Sequence, residues 1–319
     1  MYLPNKLTKH AKTSMLSKII LSCICFIVSC KNNTETSSLV KNTAAHAQKK
    51  TITPTLSKSF KAYWYTGEAE ISSYQLEQAR YGELRTGKAV LIYVTEDFLP
   101  DALVKAEHPN PNNIPVLKLN ATKTFNTGIY PYSIMQSTFY PVANNGHALK
   151  VSSSVQEWCG HAYTQLNNHD AFEIMSHSYF QGEADKTFTL KKAVLENELW
   201  VQLRVNPSTL PVGNINIIPA FAYTRLKHIP IKAFKANASL KTGTYTITYP
   251  ELQRTLSINF NPEFPYDILG WKETFNSGFG TTSKVLTTKA TKLKSIKSPY
   301  WKKNRNQDKI LRETLMLNE

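Results

Sequence analysis

From Phe60 onward, apolar and aromatic residues recur at every second position, in short runs broken by Gly, Pro, Asn and Lys. A strand sends alternate side chains to opposite faces, so such a chain buries its apolar residues only by joining many runs into a sheet that curves over a common core. Runs at 69–76 and 89–95 flank a stretch that holds 81–84 and then Arg85-Thr86-Gly87-Lys88, which reads as two strands around a Gly-containing turn. Further runs lie at 115–119, 132–139, 149–166, 172–180, 215–226, 232–240, 244–249, 255–260, 266–275 and 281–292. About a dozen strands imply an extensive antiparallel sheet. Two segments break the pattern. Residues 191–204 place Val194, Leu195, Leu199, Trp200 and Leu203 near helical spacing, with Asn206-Pro207 as a stop, and the basic stretch 301–317 puts Ile310, Leu311, Leu315 and Met316 on one side of a second helix. The expected fold is mainly β: a large curved antiparallel sheet or barrel-like β-domain with one or two helices.

The N-terminus carries an export pattern. Lys6, Lys9, Lys12 and Lys18 precede an apolar segment at 19–28, and Ser29 precedes Cys30. A secretory signal needs these three parts in this order. Ile27-Val28-Ser29-Cys30 resembles a lipobox, in which the cysteine thiol is acylated and the chain is cut before it, so Cys30 is the expected lipid attachment residue. A start at Met15 would leave a shorter signal of the same kind. The apolar run is about half the ~20 residues needed to span a bilayer. Residues 31–58 are rich in Asn, Thr, Ser, Ala and Lys with no periodicity, which reads as a tether with a reach of ~30 Å. The expected divisions are therefore 1–29 signal, 30–59 tether, 60–295 β-rich domain and 296–319 a basic C-terminal segment.

The formal charge is +15, but its distribution argues against a nucleic-acid partner. Residues 61–280 hold 19 basic and 19 acidic residues, so the excess sits at the two ends, where it either meets anionic lipid or envelope polymer or is only a solvated tail. Of four cysteines, Cys23 and Cys25 leave with the signal and Cys30 is acylated. Cys159 then stands alone, without a partner for an intramolecular disulfide.

One stretch could carry chemistry: Glu157-Trp158-Cys159-Gly160-His161. On a continuous strand Glu157, Cys159 and His161 would share a face, and a thiol near an imidazole can become a nucleophile. The alternative is a buried structural thiol beside a packed Trp. If Asn168 pairs with Asp170, His161 lies opposite His177; two histidines fall short of the ligands zinc expects, and no metal or cofactor is implied. Arg80 and Glu83 could form a charged patch beside Glu68 and Glu70, or simply a cross-strand ion pair. Tyr63, Trp64, Tyr65 and Trp271 could line a groove or serve as core.

Tyr63-Trp64-Tyr65-Thr66-Gly67-Glu68-Ala69-Glu70, Gln78-Ala79-Arg80-Tyr81-Gly82-Glu83, Thr127-Gly128-Ile129-Tyr130-Pro131-Tyr132-Ser133 and Gln156-Glu157-Trp158-Cys159-Gly160-His161 together resemble a group of exported bacterial lipoproteins of unestablished activity. The resemblance covers about 60–275. Some members carry the label septum formation inhibitor Maf, but genuine Maf nucleotide pyrophosphatases have an SPRR phosphate-binding motif, whereas the only Ser-Pro here, Ser298-Pro299, is followed by Tyr300 and Trp301. The leading expectation is a non-catalytic, lipid-anchored cell-envelope protein, on the outer membrane, whose β-domain binds an apolar ligand or an envelope protein or polymer. The rivals are an envelope hydrolase using Cys159 and His161, and Maf-like nucleotide hydrolysis.

Overall fold

The computed structural model describes residues 56–143 and 146–318; the signal, Cys30 and nearly all of the tether lie outside the described residues. Among the described residues the chain is mainly β, with one sheet of sixteen strands and four short helices. Helix α1 (Lys58–Trp64) begins at Ser57, whose Oγ accepts a hydrogen bond from the Phe60 amide. The first half of the sheet is β1 (Ala69–Arg80), β2 (Glu83–Leu99), β3 (Val104–Lys105), β4 (Ile114–Thr127), β5 (Tyr130–Pro141), β6 (Lys150–Glu157), β7 (Gly160–Asn168), β8 (Phe172–Ser178) and β9 (Lys186–Leu190). After β10 (Val194–Leu195) come α2 (Glu196–Val205), β11 (Gly213–Ile218) and α3 (Phe221–Lys227). The meander β12 (Phe234–Lys241), β13 (Thr244–Tyr249), β14 (Arg254–Phe260), β15 (Ile268–Ser277) and β16 (Lys284–Ser298) follows, and α4 (Ile310–Thr314) ends the fold.

The pairing order runs from β10 through β11 to β16, then β1, β2 and β4 to β9, with β3 beside β2; only β10 and β11 run parallel. Laid flat, fifteen strands in one path would span roughly 65–70 Å. Yet β9 and β10, the two edges of that path, are joined by residues 191–193 alone, a link that reaches at most about 14 Å. The sheet therefore curls until its edges approach without closing. Its concave face and α2 share one core, which includes Tyr74, Leu91, Leu119, Ile134, Leu199 and Trp271.

Three sequence expectations change in detail. The first hairpin turns at Tyr81-Gly82, both at positive φ (55° and 76°), not at Gly87; two consecutive left-handed residues match the twist of the flanking strands. Gly87 sits inside β2, where a Cβ would lie 2.2 Å from the Thr124 carbonyl oxygen. The run at 149–166 divides into β6 and β7 at a Trp158-Cys159 turn. The run at 215–226 is a strand and then α3, because Pro219 ends β11 and the helix terminates at His228 in the left-handed conformation.

The C-terminal segment is shorter in helix than its periodicity predicts: two 3-10 turns precede α4. It packs on the convex face, where Leu315 joins Ala69, Ile71 and Val94, and Ser73 Oγ donates to the Leu315 carbonyl. β16 itself runs to Ser298, pairing with Ala69.

Candidate functional site

A helix held inside a curled sheet must satisfy its polar side chains against the sheet, because water cannot. Glu196, at the start of α2, receives two hydrogen bonds from Arg254 of β14 (2.5 and 2.7 Å) and one from Tyr249 (2.6 Å), and Arg254 also reaches Glu273 of β15 (2.6 and 2.7 Å). Burial works against the Glu196 carboxylate, but Arg254 and Tyr249 more than offset it and hold its pKa below the ordinary value. Glu198 accepts from the amides of Leu195 and Ala148 and pairs with His147 Nδ1 at 2.9 Å. Gln136 of β5 ties both helices to the sheet: its Oε1 accepts from Asn197 Nδ2 (3.1 Å) and from the Ala222 amide (3.0 Å).

Between these ties and the concave sheet lies a cavity that opens to solvent at one end. Its wall is largely apolar and aromatic, with Leu91, Leu119, Ile134, Trp200, Tyr223, Leu256, Trp271 and Phe275 contributing. Lys123 of β4 faces it between Ala121 and Phe125, and its Nζ lies 5.9 Å from the Trp271 ring centre. Among the described residues it makes no hydrogen bond or ion pair. Burial lowers its pKa, opposed by Glu273 and reinforced by Arg254. Gln78 Oε1, also on the wall, is buried without a hydrogen-bond partner.

The cavity opens at the end where β1 meets β2 and β15 meets β16, beside the C-terminus of α3. Arg80 stands at this mouth. Its Nη1 donates to the Leu226 carbonyl (2.6 Å) and its Nη2 to the hydroxyls of Tyr81 (2.9 Å) and Tyr132 (3.1 Å). Lys227 donates to the Asn276 carbonyl (2.6 Å) and lies 5.8 Å from the rings of Phe275 and Phe279. Aromatic contacts run on from hairpin to hairpin. Trp158 lies 6.4 Å from Tyr130, Tyr130 5.8 Å from Tyr132, and the Tyr132 hydroxyl 2.9 Å from that of Tyr81. Tyr81 then neighbours Phe279, Phe279 His228, His228 Phe180, and Phe180 Tyr179. The Tyr179 ring covers Gly160, beside Trp158, which completes the circuit.

The residues singled out from sequence do not assemble into one site. Arg80 belongs to the mouth, while Glu83 is exposed on a 2.6 Å bridge to Arg85. Glu70 sits at the far end of β1, buried against Arg204. Cys159 is exposed at a hairpin tip beside a Trp158 that is 68% exposed, not packed. Glu157 accepts from the Cys159 amide (2.7 Å), and the same carboxylate raises the thiol pKa, so the arrangement disfavours a thiolate. His161 faces outward and pairs in register with Gln156, and His177 pairs with Tyr163 instead of His161. His177 Nδ1 lies 3.3 Å from Asp185. No group of three or more His, Cys, Asp or Glu residues that could hold a metal occurs among the described residues. Trp271 lines the cavity, whereas Trp64 is fully buried and Tyr63 donates to Glu70. Sequence reasoning missed Lys123 and Lys227; the signal for Lys123 was a cation on the apolar face of a strand that also carries Leu117, Leu119, Ala121 and Phe125. No protein-family model matches the chain, and comparison with curated proteins and with solved structures returns no match.

Proposed function

We propose that this protein is a non-catalytic binder of an elongated apolar ligand, held in the cavity between α2 and the concave sheet and presented to the cell envelope by a lipid anchor at Cys30. The observation that carries the reading is the cavity itself: an open-mouthed space between helix and sheet whose wall is more apolar than polar, with Leu91, Leu119, Ile134 and Trp271 among its apolar residues. A sheet that curls around a helix and still leaves apolar surface uncovered forgoes packing energy that a ligand would restore. The exposed thiol, whose pKa Glu157 raises, favours binding over hydrolysis at Cys159. The export pattern and the resemblance to exported lipoproteins support the envelope location.

The direct test is titration of the protein with a neutral polyene ester, methyl cis-parinarate, whose fluorescence rises on leaving water. Saturable enhancement, lost in Ala121→Trp, where a larger ring fills the cavity, is the expected result. A probe that stays dark, or one that binds Ala121→Trp as well as the wild type, overturns the reading.

A further inference from the structure

Two cations share the cavity mouth, and among the described residues neither is bonded to a carboxylate. Arg80 is 7% exposed and its hydrogen bonds go to a carbonyl and two tyrosine hydroxyls, all neutral; its Nε has no partner. Lys227, on the C-terminal turn of α3, has only the Asn276 carbonyl and two ring faces. The two are close enough that Arg80 adds to burial in disfavouring the charged form of Lys227. Among the described residues no carboxylate pairs with either cation. Glu83, on the neighbouring strand, is engaged by Arg85, and Glu183 by Arg225 and His228. Deeper in the cavity, both wall carboxylates, Glu196 and Glu273, are held by Arg254. Like charges kept together on half-buried stems are costly unless an anion joins them.

We infer that Arg80 and Lys227 form a head-group site for an anion, so that the cavity's ligand is an acid-headed amphiphile whose carboxylate or phosphate sits at the mouth while its apolar body runs inward. This deepens the cavity reading and rests on it. The geometry suits the division: both side chains line the cavity beside the exposed rings of Tyr81 and Phe279, where a head group retains contact with water, and Tyr223, Trp271 and Phe275 stand among the wall residues behind them. Arg80 is preset by Tyr81, Tyr132 and the Leu226 carbonyl, which fix the guanidinium for charge-assisted pairing with an acid group.

The experiment compares cis-parinaric acid with its methyl ester on the full-length chain, in the wild type, Lys227→Gln and Arg80→Gln/Lys227→Gln. Charge-assisted hydrogen bonds predict that the wild type binds the acid about tenfold or more tighter than the ester, and that the double variant binds the two alike. Lys227→Gln, which leaves the tyrosine contacts of Arg80 intact, should lose part of the preference with an unchanged melting temperature. Displacement by lysophosphatidic acid against displacement by free oleate assigns the head to a phosphate or a carboxylate; lysophosphatidylcholine should compete more weakly than both. If acid and ester bind the wild type equally, or the variants keep the acid preference, the head-group site is wrong and the cavity reading stands. If neither probe binds, both fall together.

Discussion

Arg204 on α2 clasps Glu70 on β1 through two hydrogen bonds of 2.6 and 2.8 Å, with the side chains 1% and 3% exposed. Trp64 and Tyr93 lie 5.0 and 4.8 Å from the guanidinium, and Tyr63 donates a further hydrogen bond to the carboxylate. This pair fastens the helix to the sheet at the end opposite the mouth. Breaking it by Glu70→Gln or Arg204→Met should cost about 3–5 kcal/mol, because the surviving partner is left buried and unneutralised. The double replacement should cost clearly less than the two single changes summed. Urea denaturation of the four proteins measures this cycle, and strict additivity would show that the pair is not coupled.

The same buried carboxylates set the acid limit of the fold. Burial alone would raise the Glu70 and Glu196 pKa values, yet Arg204 and Arg254 bring both below the ordinary 4.5. A carboxylate with a depressed folded-state pKa stabilises fully above its unfolded value, and that contribution drains away as pH falls through the folded one. Melting temperature should therefore hold from neutral pH to about 5 and fall steeply below 4.5. In Glu196→Gln the protein should be less stable at neutral pH but fall less steeply on acidification. An acid slope as steep as that of the wild type would remove Glu196 from the explanation.

Gly87 tests the register of the sheet. A methyl group there would stand 2.2 Å from the Thr124 carbonyl oxygen and 2.8 Å from Phe125 Cβ, so the β2–β4 pairing, or Phe125 above it, would have to move. Gly87→Ala should lose about 1–3 kcal/mol, as overpacking does where backbone is the obstacle. At an ordinary turn position with negative φ the same change would be neutral or mildly stabilising. Chemical denaturation separates the two.

Strand existence was largely legible, because a period of two needs only the neighbouring residues to reveal it. What escaped was set by partners far along the chain. Arg204 and Glu70 are 134 residues apart and Arg254 and Glu196 are 58, so nothing local marks either as a pair. The strand read at 115–119 continues to Thr127, past Lys123, because a lysine on the inward face breaks the apolar alternation that the reading followed. That interruption was itself the clue to the cavity. Arg80 stood out in sequence for its charged neighbours, but its setting at the mouth comes from α3, a segment whose β-branched and aromatic run looked like strand until Pro219 is given its due as a terminator. The Cys159 constellation failed for a local reason: a turn at Trp158-Cys159 breaks the alternation that would have aligned thiol and imidazole.

Cys159 should behave as an accessible but sluggish thiol. It is exposed, and Glu157 pushes its pKa above the ordinary 9.0. Iodoacetamide should label it completely in the folded protein, slowly at pH 7.5 and faster as pH rises beyond 9, since the thiolate is the reactive form. Glu157→Gln should accelerate labelling at pH 7.5. Fast labelling of the wild type at neutral pH, abolished by His161→Ala, would restore a nucleophilic role.

Lys123 separates a ligand contact from a counter-ion. Its folded-state pKa lies below the ordinary value of 10.5, with burial the largest cause, so the unfolded chain holds the proton more tightly than the folded one. Stability must then increase as pH rises toward that value, and at pH 7 the charged amine weakens the fold. Lys123→Met keeps the length of the side chain and discards the charge. It should raise the melting temperature by a few degrees, about 1 kcal/mol for a domain of this size, and flatten the rise in stability toward alkaline pH. Because the head-group contacts are assigned to Arg80 and Lys227, the preference for acid over ester should survive this change. Destabilisation by more than about 1 kcal/mol would instead make Lys123 the required counter-ion of Glu273 and Glu196, with Arg254 alone unable to neutralise both. Loss of the acid preference with stability unchanged would move the head group from the mouth to the cavity floor.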